Sequence, residues 1–398
     1  MIDRIVLKAS LRGLSQSLLS LSIDLGGLMA GAILAHYIDF IESVPWALMI
    51  YPGILSVRGA IGGLLSGRLS TALHLGTIKP TFFNNTREAR VLFHSVTALT
   101  LISSILMGAV SSVFGVLLGG MLAEDIVKVF MILMAAMGSS IVLVSPATFG
   151  FSLVSFREGL DPDVMVYPFV STFADIVITG CYMLILSLTI LFPGASWWII
   201  GFIDLVFIAF VCYRLRKDIR EEQFIETIRE FMLTLVFVSL IVNVTGSALS
   251  KIAANIGRRP EVYMIYPALI DTIGDVGSIV GSTATTKMAL GLVSTSMSTI
   301  RHHLKEIGYA WGASIIMFCV FSLVPSLSYG FSVFWGLIVQ LLSVNLLVIP
   351  VIILISYAVA IETRKRGLDP DNFIIPIETS LSDGITTLAL LLVISLGL

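Results

Sequence analysis

Charged side chains are scarce in this 398-residue chain, in which 13% of residues are Asp, Glu, Lys or Arg and 57% are hydrophobic. Ordinary globular domains carry about 25% charged residues, so the sequence lacks the polar surface that a water-soluble protein needs. Its mean hydropathy of +0.99 agrees with this composition. The sequence therefore excludes a soluble globular protein and predicts an integral membrane protein.

Cysteine, histidine and catalytic motifs are also scarce. The three Cys and five His residues do not have the spacing of a disulfide framework or of a metal-ligand set. The sequence has no recognisable nucleophile and base pair and no phosphate-binding glycine loop. These absences argue against an enzyme and against a pump that hydrolyses ATP.

Long apolar runs separated by short charged clusters follow one another along almost the whole chain. A helix needs about 20 mostly apolar residues to cross a bilayer, and helices satisfy their backbone polar groups internally. The pattern predicts an all-α polytopic membrane protein with about eleven transmembrane helices. The expected spans are 14–36, 46–66, 91–119, 126–155, 164–192, 196–213, 230–250, 264–290, 308–328, 332–360 and 374–397.

Basic residues are distributed unevenly between the loops on the two sides of the predicted membrane. When the N-terminus is placed in the cytoplasm, the opposite side receives only Lys128, Lys251, Arg258 and Arg259. Cytoplasmic loops carry an excess of Lys and Arg in membrane proteins. We therefore expect a multi-pass protein of the cell membrane with a cytoplasmic N-terminus and an external C-terminus.

Two motifs recur in the same order in both halves of the sequence. Gly-Leu-Asp-Pro-Asp occupies 159–163 and again 367–371, and the match continues at constant spacing downstream of both copies. Upstream of it, a Tyr-Pro pair occupies 51–52 and again 266–267. Such self-similarity is the signature of an internal repeat.

The repeat divides the chain into two five-helix units. We expect the first repeat at 1–192, a linking transmembrane helix with a cytoplasmic linker at 193–229, and the second repeat at 230–398. A weaker match aligns Gly27 with Gly246 in the first helices. Because five spans end on the opposite side, the linking helix makes the two repeats parallel. A pseudo-two-fold axis should then run along the membrane normal and provide a central path.

Asp175 and Asp383 occupy equivalent positions in the fifth helix of each repeat. A carboxylate inside a membrane helix costs about 2.5–3.5 kcal/mol and usually faces water or a partner. Hydroxyl side chains on the same helix faces would add oxygen ligands for a partly hydrated divalent cation. These residues are Ser171, Thr172, Thr179, Thr379, Ser380 and Thr387. The alternative is that each aspartate only hydrogen-bonds a neighbouring helix.

Asp271 and Asp275 lie one helical turn apart in the eighth predicted span. They could form a second cation site, a mouth that concentrates cations, or an ion pair with Arg58. Arg58 lies alone in the second span and is interpreted as a structural or gating counter-charge. A buried guanidinium needs an anionic partner, for which Asp24, Asp271 and Asp275 are the candidates.

Glycine-rich runs surround Gly59 and Gly274 in the second helix of each repeat. Such runs allow either close packing of helices or a break in the helix that exposes carbonyl oxygens to a cation. Glu378 is a further polar residue within a predicted span. The sequence leaves its role open.

Four carboxylates flank the predicted cytoplasmic ends of the fifth helices. They are Asp161, Asp163, Asp369 and Asp371. The Asp that precedes each proline suits an N-cap, because proline is favoured in the first helical turn. Capping is the simplest interpretation, and binding of cytoplasmic cations is the alternative.

These paired motifs resemble the membrane domain of the MgtE magnesium transporters, and their tandem arrangement is similar to solute carrier family 41. The resemblance rests on segments 159–175 and 367–383 and on the two Tyr-Pro pairs. It implies that the two aligned aspartates are the pore carboxylates, and that the second and fifth helices of each repeat line the pore. The family's Gly-Asn pair is replaced here by Gly-Ala at 59–60 and Gly-Asp at 274–275.

The sequence therefore predicts transport of divalent cations, Mg2+ above all. Oxygen-only candidate ligands favour a hard cation, although Mn2+, Co2+ and Zn2+ remain open. Exchange of Mg2+ against Na+ is a second hypothesis, and an intramembrane enzyme or scaffold is a third. We expect the lipid bilayer and the cation as partners, with Na+ added for an exchanger. We expect no nucleic acid and no cofactor beyond Mg2+, and association of this pseudo-dimer into larger oligomers is left open.

Overall fold

The computed structural model describes residues 2–41, 43–44, 46–118, 121–158, 162–256, 259–289, 292–366 and 370–397. The described residues form helices and short connections, without a strand. This confirms the predicted all-α class.

Thirteen α-helices lie within the described ranges. In chain order they are α1 Ile2–Leu21, α2 Gly27–His36, α3 Ile38–Ile41, α4 Ala47–His74, α5 Arg87–Leu117, α6 Asp125–Arg157, α7 Pro162–Leu191, α8 Ala195–Asp218, α9 Glu222–Ile256, α10 Pro260–Ala289, α11 Leu304–Tyr329, α12 Ser332–Arg366 and α13 Pro370–Ser395. A 3-10 helix, Ser22–Gly26, joins α1 to α2, and another, Met297–His303, precedes α11.

Ten stretches of the described helices are long and apolar enough to cross a membrane, and they overlap ten of the predicted spans. The remaining prediction, 264–290, falls on α10, whose 30 residues are enough for a crossing. The carboxylates of Asp271 and Asp275 lower the hydropathy of α10, which is not among the ten. The polytopic architecture is confirmed, whereas eleven crossings and the parallel layout of the repeats stay predictions.

The chain divides into two compact units. Unit 1 contains Met1–His36 and Ala248–Leu398, and unit 2 contains Tyr37–Ser247. Helix α2 therefore packs with the second half of the sequence, and most of α9 packs with the first half. These units are a division by packing, and the sequence boundaries at 192 and 230 stay predictions.

Two glycines allow the closest helix approaches in these units. In unit 1, a Cβ on Gly31 would overlap the carbonyl oxygen of Met264 on α10. In unit 2, a Cβ on Gly246 would overlap the carbonyl oxygen of Met49 on α4. The number of residues from Gly31 to Gly246, and from Met49 to Met264, equals the number that separates the two Tyr-Pro pairs. The same helix contact is therefore built once in each unit.

This contact corrects the alignment of the first helices. The sequence match paired Gly246 with Gly27, but the packing pairs it with Gly31, one helical turn further on. Gly27 instead approaches the backbone of Ala268. The error arose because small residues recur every four positions on this face of α2, so sequence similarity alone does not fix the register.

We expect Gly246→Ala to destabilise the protein by about 1–3 kcal/mol, because the added methyl group overlaps a backbone carbonyl that cannot rotate away. Thermal unfolding of the purified protein in detergent measures this loss. Gly150→Ala is the matched control, since a Cβ at Gly150 would meet no atom within 4 Å. Equal melting temperatures for the two variants would contradict the proposed close approach.

Candidate functional site

Helices α4 and α7 pack in an antiparallel arrangement within unit 2. The Tyr51 hydroxyl hydrogen-bonds the Thr179 hydroxyl at 3.0 Å. Further along α4, a Cβ on Gly62 would lie 3.6 Å from Val170. The contact point on α7 thus moves toward its N-terminus as α4 proceeds. Residues 52–61 of α4 therefore lie opposite residues 171–178 of α7.

Helices α10 and α13 repeat this arrangement within unit 1. The Tyr266 hydroxyl hydrogen-bonds the Thr387 hydroxyl at 2.9 Å. One end of the same interface brings Gly277 against the Glu378 carboxylate. Thr179 and Thr387, both expected beside the cation path, are thus buried and bonded to equivalent tyrosines. Their role in lining a path stays a prediction.

Arg58 and Asp175 lie in the middle of the α4–α7 interface. Arg58 is fully buried and Asp175 is 2% exposed. The two side chains interact electrostatically. The structure therefore gives Arg58 a charge partner within unit 2 that the sequence analysis did not name. Only the packing of α4 on α7 reveals it.

Four carboxylates lie together within unit 1. Asp24 accepts a hydrogen bond from the Thr272 hydroxyl at 2.6 Å and is also hydrogen-bonded to Asp275. Glu378 interacts electrostatically with Asp275 and Asp383. A hydrogen bond between two carboxyl groups requires that one of them carries a proton. Asp24 and Asp275 therefore share a proton.

Two serines hold Glu378 in place. Its carboxylate accepts hydrogen bonds from Ser278 of α10 at 3.1 Å and from Ser356 of α12 at 2.9 Å. The carboxylate is fully buried and lies against the backbone of Gly277. The sequence identified Glu378 as an intramembrane acid, but only the fold shows that Ser356 of α12 is its hydrogen-bond partner.

The equivalent positions in the two units carry different charges. The spacing of the repeats aligns Arg58 with Ile273, Ala60 with Asp275 and Val170 with Glu378. Unit 1 therefore has carboxylates at two positions where unit 2 has apolar residues, and an apolar residue where unit 2 has a guanidinium. The aspartate at the centre is the feature that both units share.

The other candidate residues occupy varied environments. Thr172 and Ser380 are buried, whereas Ser171, Thr379 and Asp271 are partly exposed. Helices α4 and α10 run without a break through Gly59 and Gly274. The alternative of a broken helix at these glycines is therefore wrong. A Cβ at Gly59 would meet no atom within 4 Å, so close packing does not explain this glycine either.

The structure describes only part of the two acidic loops. Asp161 and Asp369 lie outside the described residues, as do the side chains of Asp163 and Asp371. Their assignment as caps or as cation ligands stays a prediction.

Direct metal ligation needs several ligands at short range. Among the described residues, no three His, Cys, Asp or Glu side chains are arranged to hold a metal ion. Mg2+ usually keeps several of its waters and is bound through one or two carboxylates. The aspartates of α7 and α13 therefore suit a hydrated ion better than a dehydrated one.

Comparison with known proteins gives one result for the same helices. A family model described as MgtE, divalent cation transporter, matches residues 51–185 and 266–393. These segments include most of α4–α7 and α10–α13 and contain both aspartates. No curated protein and no solved structure matches the chain.

Proposed function

Because the chain belongs to the MgtE family of divalent cation transporters, we propose that its cargo is Mg2+ and that Asp175 and Asp383 bind the partly hydrated ion. The observation that carries the proposal is the recurrence of one buried aspartate at the same place in both matched segments. A carboxylate is costly at such a depth, and a cation path supplies the counter-charge that offsets the cost.

Hard oxygen ligands support the choice of Mg2+. Carboxylates and hydroxyls suit Mg2+, Ca2+ and Mn2+, whereas softer metals prefer imidazole and thiolate ligands. Asp271 and Asp275 provide further negative charge on α10 in unit 1 and could attract the ion or hold a second one. The internal repeat favours a path on the axis that relates the two repeats. The distribution of basic residues favours a cytoplasmic N-terminus.

Purified protein in liposomes tests this function directly. We expect Mg2+ uptake driven by a Mg2+ gradient alone, because the described acids suffice for one divalent ion without a coupling ion. Uptake is followed with a Mg2+-sensitive dye inside the vesicles, with and without an opposing Na+ gradient. Protein-free liposomes provide the background rate.

The alternatives give different results in the same assay. Uptake that requires a Na+ gradient would establish the Na+-coupled exchanger instead. Competition by Mn2+, Co2+ or Zn2+ at lower concentrations than Mg2+ would change the assigned cargo. Absence of flux for every divalent ion would overturn the proposal.

A further inference from the structure

Arg58 is the largest fully buried side chain among the described residues. Its Nε and both terminal nitrogens have no hydrogen-bond partner in the part of the chain that the structure describes. A guanidinium has five N–H donors, and leaving them unbonded in a buried position is costly. This arginine therefore needs an explanation beyond packing.

The register of α4 on α7 places Arg58 at the level of Asp175. The Tyr51–Thr179 hydrogen bond lies on one side of this level, and the approach of Gly62 to Val170 lies on the other. The electrostatic interaction of Arg58 with Asp175 fits the same register. Charge attraction, without directed hydrogen bonds from the described residues, is what holds the guanidinium at this level.

We infer that Arg58 is a tethered cation that competes with the transported ion for Asp175. This inference rests on the proposed function, since it requires that Asp175 binds the ion. A guanidinium held by hydrogen bonds at fixed geometry would stay in place when a second cation arrives. A guanidinium held by charge alone can be displaced, and it returns when the ion leaves.

The unequal charges of the two units show what this competition achieves. Unit 1 has Ile273 at the position of Arg58, so this position of α10 carries no positive charge that would oppose a cation. Conduction requires ligands that bind an ion well enough to admit it and weakly enough to release it. Asp383 is then the stronger binding position, and Arg58 makes Asp175 the weaker one, from which the ion departs.

Arg58→Gln tests the inference in the liposome assay. Removing an opposing charge that interacts with a binding carboxylate changes a binding equilibrium by about tenfold or more. We expect the half-saturating Mg2+ concentration for uptake to fall about tenfold and the maximal rate to fall as well, because the ion leaves Asp175 more slowly. Arg58→Lys keeps the charge and should restore most of the parent half-saturation value.

A second mutation separates competition from a structural role. In the Asp175→Asn background, Arg58→Gln should no longer lower the half-saturating concentration, because the contested carboxylate is gone. A structural arginine would instead lower the maximal rate in both backgrounds and leave the half-saturating concentration unchanged. If that outcome is found and Asp383→Asn loses flux as expected, the role inferred for Arg58 is overturned and the proposed function stands. Undiminished flux in Asp383→Asn overturns the proposed function itself.

Thermal unfolding gives a readout that does not depend on flux. Arg58→Met fills the same space and removes the positive charge that interacts with Asp175. A ligand that binds the folded state raises the melting temperature according to its affinity. Mg2+ should therefore stabilise Arg58→Met at about tenfold lower concentration than it stabilises the parent protein. Equal Mg2+ dependence in both proteins would contradict the inference.

Discussion

The double variant Asp175→Asn/Asp383→Asn is expected to lose about 100-fold or more of the parent Mg2+ flux. Each change keeps the size of the side chain but removes one negative charge and replaces one acceptor oxygen with an amide donor. The remaining amide and hydroxyl oxygens cannot neutralise a divalent ion. The free-energy cost of removing part of its hydration water would then not be offset. Uptake into liposomes at several Mg2+ concentrations measures the loss.

Asp204→Asn is the matched control for this variant. Asp204 is a buried aspartate in α8, and it lies outside both segments that the family model matches. The same chemical change there should leave the flux close to that of the parent. Parent-like flux in the double variant would show that the paired aspartates only join helices, as the scaffold hypothesis requires.

Gly277→Ala is expected to have the second largest effect. A Cβ on Gly277 would overlap Oε1 of Glu378, with Ile352 and Ser356 also nearby. The buried carboxylate would have to move away from Ser278 and Ser356, which now donate hydrogen bonds to it. Leaving a buried polar group without its hydrogen bond costs about 1–3 kcal/mol, so we expect destabilisation of at least this size together with reduced flux.

Gly62→Ala makes the same change at the aligned position of α4. A Cβ on Gly62 would meet only Val170, at an ordinary contact distance of 3.6 Å. Alanine also has a higher helix propensity than glycine, so this variant should be as stable as the parent or slightly more stable. Thermal unfolding and Mg2+ uptake of the two variants, measured in parallel, test the difference. If both variants behave alike, the close contact between Glu378 and Gly277 is important neither for stability nor for Mg2+ uptake.

The membrane architecture was predictable because its cause is local. A run of about 20 apolar residues specifies a crossing helix without reference to the rest of the chain. Helix α10 is the instructive case, since Asp271 and Asp275 reduce its hydropathy although its length suffices for a crossing. The sequence analysis identified it from its apolar run, and the repeat then aligned it with α4.

Contacts between helices were less predictable because they depend on register. Gly27 and Gly31 lie on the same face of α2, and only packing against α10 shows that Gly31 corresponds to Gly246. The partner of Arg58 is a similar case. The sequence offered three acids from elsewhere in the chain, whereas the antiparallel packing of α4 on α7 brings Asp175 to it. The two aspartates themselves were found because the repeat marks them, which needs no knowledge of packing.

The contrast between Arg58 and Ile273 has a consequence for how such a protein changes over time. In an assembly of two identical chains, one mutation alters both copies of a position at once. A guanidinium beside one central aspartate would then always appear beside the other, and their repulsion of the ion would add. Here a single gene encodes both positions separately, so selection can act on one without the other. The fused chain is thereby free to specialise one half in capture and the other in release.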